Sequence, residues 1–468
     1  MPIQLNNSLT KKKEEFIPLK DKSVNIYTCG VTVYDKCHLG HARSLYIFDV
    51  IRRYLAFRGY KVRFVRNITD IDEKIIDRAN ELKKTSEQVA KENIELYYRD
   101  LENFRIQKAD LEPRATENIP DMVQYITELI KKDYAYAIAG DVYFSVRKFP
   151  EYGKLSGQSI DQMQEAVRIE KDSKKKDPLD FALWKKSKEN EPAWDSPWGK
   201  GRPGWHIECS VMSLKHLKCE TLDIHAGGRD LIFPHHENEI AQAESLTKKP
   251  LAKYWIHHGL LTINGQKMAK SLGNFITLED ALKKYNVDDL KMFFLFSHYA
   301  SPVDFSDEKI REAHKVLDRF DILFWKAAEI IKDKKIFRSM EPEFLKERKE
   351  EFLKAMDDDF NTPKALATLF DLLSDTNKFI EQEKNDPNYV DIIHNCTDTI
   401  EKYAREIFGL FLAEKNKDLD EEDQKLLDDR AKARSSKDFK KSDELRDVLK
   451  KHGIVVEDTK EGQSWRWL

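Results

Sequence analysis

His38-Leu39-Gly40-His41 and Lys267-Met268-Ala269-Lys270-Ser271 are the segments whose residue types and spacing point most directly to chemistry. A phosphoryl group that develops negative charge needs donors and cations already in place. The two imidazoles lie in or just before the first turn of a helix, whose positive end favours an anion. The two lysines stand three apart between Gly265 and Gly273, on a segment able to close on a leaving pyrophosphate and open again. Together the segments suit one task, holding a nucleoside triphosphate while its α-phosphate is attacked. Alone, each has a plainer reading: a helix start with surface histidines, and a pair of solvated lysines.

A second cluster is His235-His236-Glu237-Asn238-Glu239. His235 and Glu239 are four apart, on one face of a helix, and an imidazole and a carboxylate at that spacing can share Zn²⁺. The pair His236 and Ile240 cannot. The same residues also read as a capped helix start with an ion pair. Cys29 and Cys209 lie far apart with no CxxC spacing, so spacing by itself does not show a zinc site.

The elements that must position these groups follow from periodicity. Val24–Thr28 is β-branched-rich and predicts a strand. Leu45, Phe48, Ile51 and Leu55 recur at helical spacing and predict a helix from about Ser44 to Arg58, stopped by Gly59. Lys61–Thr69 predicts a second strand. A strand–helix–strand unit of this length is a βαβ crossover and implies a parallel sheet, with ligands bound beyond the carboxyl ends of its strands. Cys29, His38, His41 and Thr69 all fall there. Residues 72–135 read as mostly helical, Asp141–Val146 as a strand, and 152–204 as a loop-rich insertion. The sheet resumes with Thr221–His225, a helix from about Pro234 and a strand at Tyr254–His258; a turn at Asn264-Gly265 then presents the lysines. Beyond Ser306 the chain reads as helical, with Thr362 as N-cap and Pro363 as N1. Asp357-Asp358-Asp359 reads as a solvated helix end and Lys415–Asp423 as a charged linker. A helix about Phe439–His452, Gly453 as its cap, and a hairpin of Ile454–Glu457 with Ser464–Trp467 complete the chain.

The 468 residues allow roughly three or four domains of ~100–200 residues. With 40% hydrophobic and 35% charged residues, the chain forms cores and carries a heavily charged surface. No stretch approaches the ~20 apolar residues of a membrane span, and Met1 to Phe16 lacks the apolar core of a secretory signal. A net charge of −3 excludes indiscriminate nucleic-acid binding through global charge and leaves room for local basic patches. Five cysteines, Cys29, Cys37, Cys209, Cys219 and Cys396, fit a reducing cytosol better than a disulfide framework.

The HLGH and KMAKS segments resemble the two signature motifs of class I aminoacyl-tRNA synthetases, with Ala269 in place of the commoner serine. Four further segments, Cys29–Asp35, Asn67–Asp72, Gly204–Ser210 and Phe233–Glu239, resemble the cysteinyl-tRNA synthetase family, and the similarity runs essentially the whole length. The resemblance implies an α/β fold: a Rossmann-type parallel-sheet catalytic domain in two halves (1–118 and 200–250) around an inserted connective domain (119–199). A stem-contact region carrying the lysine loop (251–310), an all-α helical bundle (311–412) and a small α+β anticodon-binding unit (413–468) follow. It implies ATP-dependent ligation of L-cysteine to the 3′ end of cysteine tRNA through cysteinyl-adenylate. His38, His41, Lys267 and Lys270 would be catalytic and bind ATP with Mg²⁺, joined by Gly227 and Asp230. One Zn²⁺ would be held by Cys29, Cys209, His235 and Glu239. Thr69, Trp205 and His225 would line the cysteine pocket, and Trp465 and Trp467 would either stack on anticodon bases or close a small core. A cytoplasmic monomer with no membrane partner is expected.

Chemistry explains the metal. Serine differs from cysteine by one atom, and a hydrophobic pocket rejects a near-isostere by only about 10–200-fold. Zinc prefers thiolate to a neutral hydroxyl and lowers the thiol pKa. Two rivals remain: a ligase passing activated cysteine to a small amine, as in mycothiol synthesis, and a non-catalytic RNA-binding paralogue. The terminal unit speaks against the first, and the intact histidines and lysines against the second.

Overall fold

The computed structural model describes residues 2–160, 174–189, 191–268, 272–337, 341–411, 419–459 and 462–467. Its centre is a four-stranded, wholly parallel sheet in the order Ala252–His258, Leu222–Gly228, Ser23–Thr28, Lys61–Arg66. Leu222–Gly228 is buried at every position, as befits a central strand covered on both faces. The βαβ crossover is present, but its helix spans Leu39–Phe57 and so begins five residues before the expected Ser44. Leu45, Phe48, Ile51 and Leu55 are buried as anticipated. The earlier start comes from His38, whose side chain caps the helix, a role spacing statistics do not assign to histidine. The second strand ends at Arg66. Asn67–Thr69 leaves the ladder; Thr69 bonds instead to Val31 and Val33, and Ile68 pairs with Arg114.

The free edge of this sheet, Ala252–His258, is covered by an N-terminal hairpin, Gln4–Asn7 with Lys12–Glu15, that periodicity did not announce. Ser8 N–H donates to Trp255 O at 2.9 Å, and the Asn7 amide spans Trp255 N–H and Lys253 O at 3.1 and 3.0 Å. Covering an edge in this way removes a site for unwanted strand pairing.

Between the sheet halves, Ala135–Ile138, Asp141–Phe144, Phe181–Lys186 and Gly201–Pro203 form an antiparallel sheet. Two of its strands lie inside the segment expected to be loop-rich. The Trp, Pro and Gly residues that suggested a loop instead pack: Trp184 is fully buried and meets Trp198 edge-on at 6.0 Å. The stretch 72–135 contains three α-helices, Glu73–Leu82, Ser86–Asn103 and Ile119–Lys131, with a loop and a short 3₁₀ helix, Ala115–Asn118, between the last two.

Beyond the sheet, Leu261–Ile263 and Gln266–Lys267 form a hairpin about Asn264 (φ 50°) and Gly265 (φ 76°), a turn with two left-handed residues that suits Asn-Gly. Helices Asp307–Ile331, Glu343–Asp357, Thr362–Gln382 and Tyr389–Glu406 follow. Asn361, not Thr362, caps the third, so Pro363 is one residue deeper in the first turn than expected. Asp357 and Asp359 are buried, contrary to a solvated helix end. Asp357 accepts from Tyr54 OH at 2.6 Å and from Arg58. The expected charged linker overlaps the helix Glu421–Ser435: Glu421, Glu422 and Asp423 form its first turn, where acidic groups meet the positive dipole end. Phe439–Lys451 and the hairpin Ile454–Thr459 with Gly462–Trp467 complete a unit whose core is Leu427, Leu449, Ile454 and Val456, with Trp465 packed against it. The Trp467 side chain lies outside what the structure describes. Among the described residues no helix is long and apolar enough to cross a membrane.

Candidate active site and metal centre

The signature helix starts with a reciprocal cap made of imidazoles. His38 Nδ1 accepts from Gly40 N–H at 3.1 Å and His41 N–H at 3.3 Å, and His41 Nδ1 accepts from His38 N–H at 3.4 Å. The rings stack at 3.7 Å. An Nδ1 that accepts cannot carry the proton, so both neutral rings hold it on Nε2, as outward donors. Burial, then the neighbouring His38 and Lys74, holds the His41 pKa well below the ordinary value, which keeps the ring neutral. Gly40 is needed sterically, because a Cβ there would lie 2.9 Å from His38 Cε1. Both histidines line a broad cleft at the strand ends, together with Cys29, Trp205, Gly228, Asp230 and Lys267.

The lysine segment is tied to this cap. Lys267 is exposed at the end of its hairpin; Ala269, Lys270 and Ser271 lie outside the described residues. Beyond it, the Asn274 side chain donates to Lys267 O at 3.1 Å and the Phe275 ring meets His38 edge-on at 5.2 Å. Leu39 N–H then donates to Ile276 O at 3.1 Å, and Leu278 N–H to Cys37 O at 2.8 Å.

Deeper at the same strand ends, Cys29, Cys209, His235 and Glu239 place their ligand atoms within 4.8 Å of one another. They come from the end of one strand, the helix Trp205–Leu217, an irregular turn at Ile232–His236 and the helix Glu237–Thr247. Cys29 Sγ is 3.4 Å, and His235 Nε2 2.9 Å, from Glu239 Oε1. Cys29, His225, His236 and Glu239 form a second group within the same limit, which the helical spacing rule missed because His236 works with Cys29 across elements, not with Ile240. His236 Nε2 lies 3.3 Å from Cys29 Sγ, and its Nδ1 2.8 Å from His257 Nε2.

The charges are strongly coupled. Burial opposes ionisation of Glu239, but the His225 and His235 imidazoles outweigh it and hold the carboxyl well below its usual range. Burial likewise opposes a charged His235, and Glu239 reverses this, raising its pKa to about 10. Burial alone would keep both thiols protonated. It pushes Cys29 up, whereas for Cys209 the Cys29 hydrogen bond overrides it and brings the pKa to about 6. A donor set of this kind takes a metal in exchange for protons.

Of the expected pocket residues, Trp205 is half-exposed and stacks on His235 at 4.1 Å. His225 is buried, with Nε2 2.7 Å from Glu239 Oε2, so it faces the acid rather than open space. Thr69 is buried and donates to Glu208 Oε2 at 2.8 Å. Gly227 packs against His236, where a Cβ would come within 2.8 Å of the ring. Glu208, His206, His257 and Asn67 were not singled out in the sequence. Asn67 Oδ1 accepts from Gly30 N–H at 2.8 Å and lies 3.7 Å from Cys209 Sγ. Arg43 was also missed. Buried, it donates to Gly259 O, to Leu260 O at 3.1 Å, to Tyr299 O at 3.3 Å and to Ser301 O at 2.6 Å, gripping the root of the lysine hairpin. Burial lowers its pKa to about 10, still charged at neutral pH.

A parallel sheet with a histidine cap and a lysine hairpin at its carboxyl ends defines the class I aminoacyl-tRNA synthetases. The fold of Mycobacterium tuberculosis methionyl-tRNA synthetase, solved with methionyl-adenylate, is similar with a TM-score of 0.64 at 15% identity, over 83% of this chain and 92% of that one. Residues 15–315 match the family of tRNA synthetases class I (C) catalytic domains, 351–413 the DALR domain, and 416–466 the cysteinyl-tRNA ligase anticodon binding domain. The cysteine–tRNA ligases of Persephonella marina (49% identical, all of both chains), Aquifex aeolicus (47%, all of this chain and 99% of the relative) and Halalkalibacterium halodurans (45%, with the same coverage) are similar throughout. The chain belongs to the cysteine–tRNA ligase family.

Proposed function

We propose that the chain joins L-cysteine to the 3′ end of cysteine tRNA through cysteinyl-adenylate, in the cytoplasm, with zinc selecting the substrate thiolate. The observation that carries this reading is the convergence of Cys29, Cys209, His235 and Glu239 on the strand ends that also present His38 and His41. These four fit zinc: two thiols, an imidazole and a carboxylate bring their ligand atoms within 4.8 Å of one another, the donor types zinc takes, and His235 Nδ1 is 2.9 Å from His206 Nδ1, an outer partner that orients the ring. His225 and His236 are taken up by Glu239 and His257, so we assign them to support. Bound there, zinc supplies a soft Lewis acid that accepts the substrate sulfur as thiolate and discriminates against serine.

In the first step a carboxylate oxygen of cysteine attacks the α-phosphorus, the bond to the β-phosphate oxygen breaks, and pyrophosphate leaves. The Nε2–H groups of His38 and His41 donate to the charge that develops. Lys267 and Lys270 hold the phosphates, which Mg²⁺ accompanies, and Gly227 and Asp230 receive the adenosine. Thr69 and Trp205 bound the amino-acid pocket. In the second step a terminal ribose hydroxyl attacks the carbonyl carbon, AMP leaves with the electron pair of the broken bond, and the hydroxyl proton passes to solvent. Catalysis is mainly positioning and electrostatics. The domain division expected from the resemblance is shifted so that Ala252–His258 stays with the catalytic sheet and Gly201–Pro203 with the inserted one, since each is hydrogen-bonded into that sheet; the terminal unit contacts the anticodon, and its match supports tRNA over a small amine as acceptor. ATP–pyrophosphate exchange with cysteine and with serine, before and after zinc removal, tests the reading. Exchange that is indifferent to zinc, or equal for serine, contradicts it.

A further inference from the structure

Asp359 joins three parts of the molecule, and nothing in the adenylation chemistry uses it. Its carboxylate accepts from Asn6 N–H at 2.8 Å, from the Asn6 side-chain amide and from Tyr299 OH at 2.7 Å; its carbonyl accepts from His298 Nε2 at 2.9 Å. The side chain is almost wholly buried. Asp359 (φ 62°) and Phe360 (φ 52°) are consecutive left-handed residues without glycine, a conformation that persists only where surroundings over-determine it. The next residue, Asn361, caps the helix Thr362–Gln382, and Thr362 Oγ1 donates to Leu295 O at 3.1 Å.

On the other side, Tyr299 and Ser301 offer their carbonyls to Arg43, which stands in the signature helix and also grips Gly259 and Leu260. Two hydrogen bonds therefore run from the helix that His38 opens, through Arg43 and Tyr299, to the turn between two helices of the helical unit, Glu343–Asp357 and Thr362–Gln382. That unit leads on to the terminal domain, so a tRNA gripped at both ends is oriented by this junction. ATP and cysteine are bound within the cleft alone.

We propose that Tyr299 and Asp359 form a positioning pair for the transfer step: they hold the helical unit against the catalytic cleft so that the terminal ribose meets the adenylate, and adenylate formation does not depend on them. This rests on the tRNA-ligation reading above. A misplacement of about 1 Å costs on the order of 10²-fold in rate, so the effect falls on the substrate that spans both units.

Tyr299→Phe keeps the ring volume and loses only the hydroxyl; Asp359→Asn keeps the shape. For both, pyrophosphate exchange should stay within about twofold of the parent, while the kcat of tRNA charging falls about tenfold or more and the KM for tRNA moves less than about threefold. Melting temperatures are recorded alongside. Losses that are equal in exchange and charging, or a lowered melting point with both steps intact, overturn the proposal. A parent enzyme that exchanges pyrophosphate but charges no tRNA overturns the functional reading itself, and this pair's role with it.

Discussion

His38 and Thr277 face each other as an antiparallel backbone pair, flanked by the Leu39 N–H to Ile276 O and Leu278 N–H to Cys37 O hydrogen bonds. Residues nearly 240 positions apart thus make one structural unit, with the histidine cap as a fixed wall and the lysine segment leaving and returning beside it.

His38 has two separable duties, capping the helix and presenting Nε2–H. Asparagine caps well but places no donor at that reach. His38→Asn should keep the melting temperature close to the parent while pyrophosphate exchange falls about 10²–10³-fold, the cost of one lost charge-stabilising donor. His38→Ala should lose the same activity and about 1 kcal/mol of stability as well. Exchange at the parent rate in His38→Asn would remove Nε2–H from the chemistry.

Glu239→Gln and Cys209→Ser should each lower bound zinc and weaken cysteine binding far more than ATP binding. Zinc content by metal analysis, with calorimetric titration of each ligand, checks this. His225→Leu, which removes the donor to Glu239 Oε2, should weaken zinc about 10–100-fold in a chelator competition. Equal loss of cysteine and ATP binding would count against a metal reserved for recognition.

Lys291 is fully buried, with Nζ donating to Arg105 O at 3.1 Å and Gly409 O at 2.9 Å. Burial first, and then the charge of Arg105, brings its pKa down to about 7. An unfolded lysine keeps its proton to about pH 10.4. Between these values the unfolded chain binds more protons, so this site makes stability rise with pH, by at most ~1.4 kcal/mol per unit. Denaturant midpoints at pH 7, 8 and 9 should climb less in Lys291→Met than in the parent; parallel slopes would mean the lysine stays charged inside.

Ala269→Ser restores one hydroxyl beside two cations that are already present. Pyrophosphate exchange should change by no more than about fivefold, since a single neutral hydrogen bond exposed to water contributes ~1 kcal/mol or less. A large gain would show that the lysine loop is incomplete as it stands.

The fold class and the positions of the HLGH and lysine segments, at a helix start and on a hairpin, were legible in the residues alone, because helical and strand periods and glycine stops are local patterns. So was the pairing of His235 with Glu239, one helical turn apart. Local spacing misled where a buried polar group did the work of a familiar signal. His38 replaced the usual cap and moved a helix start, and Asp357 and Asp359 looked solvated but are bound by Tyr54, Asn6 and Tyr299. The convergence of Cys29 and Cys209, the roles of His236 and Arg43, and the covered edge at Trp255 were decided only in three dimensions. Each joins residues tens to hundreds of positions apart, and no period in a sequence records which strand ends a parallel sheet brings together.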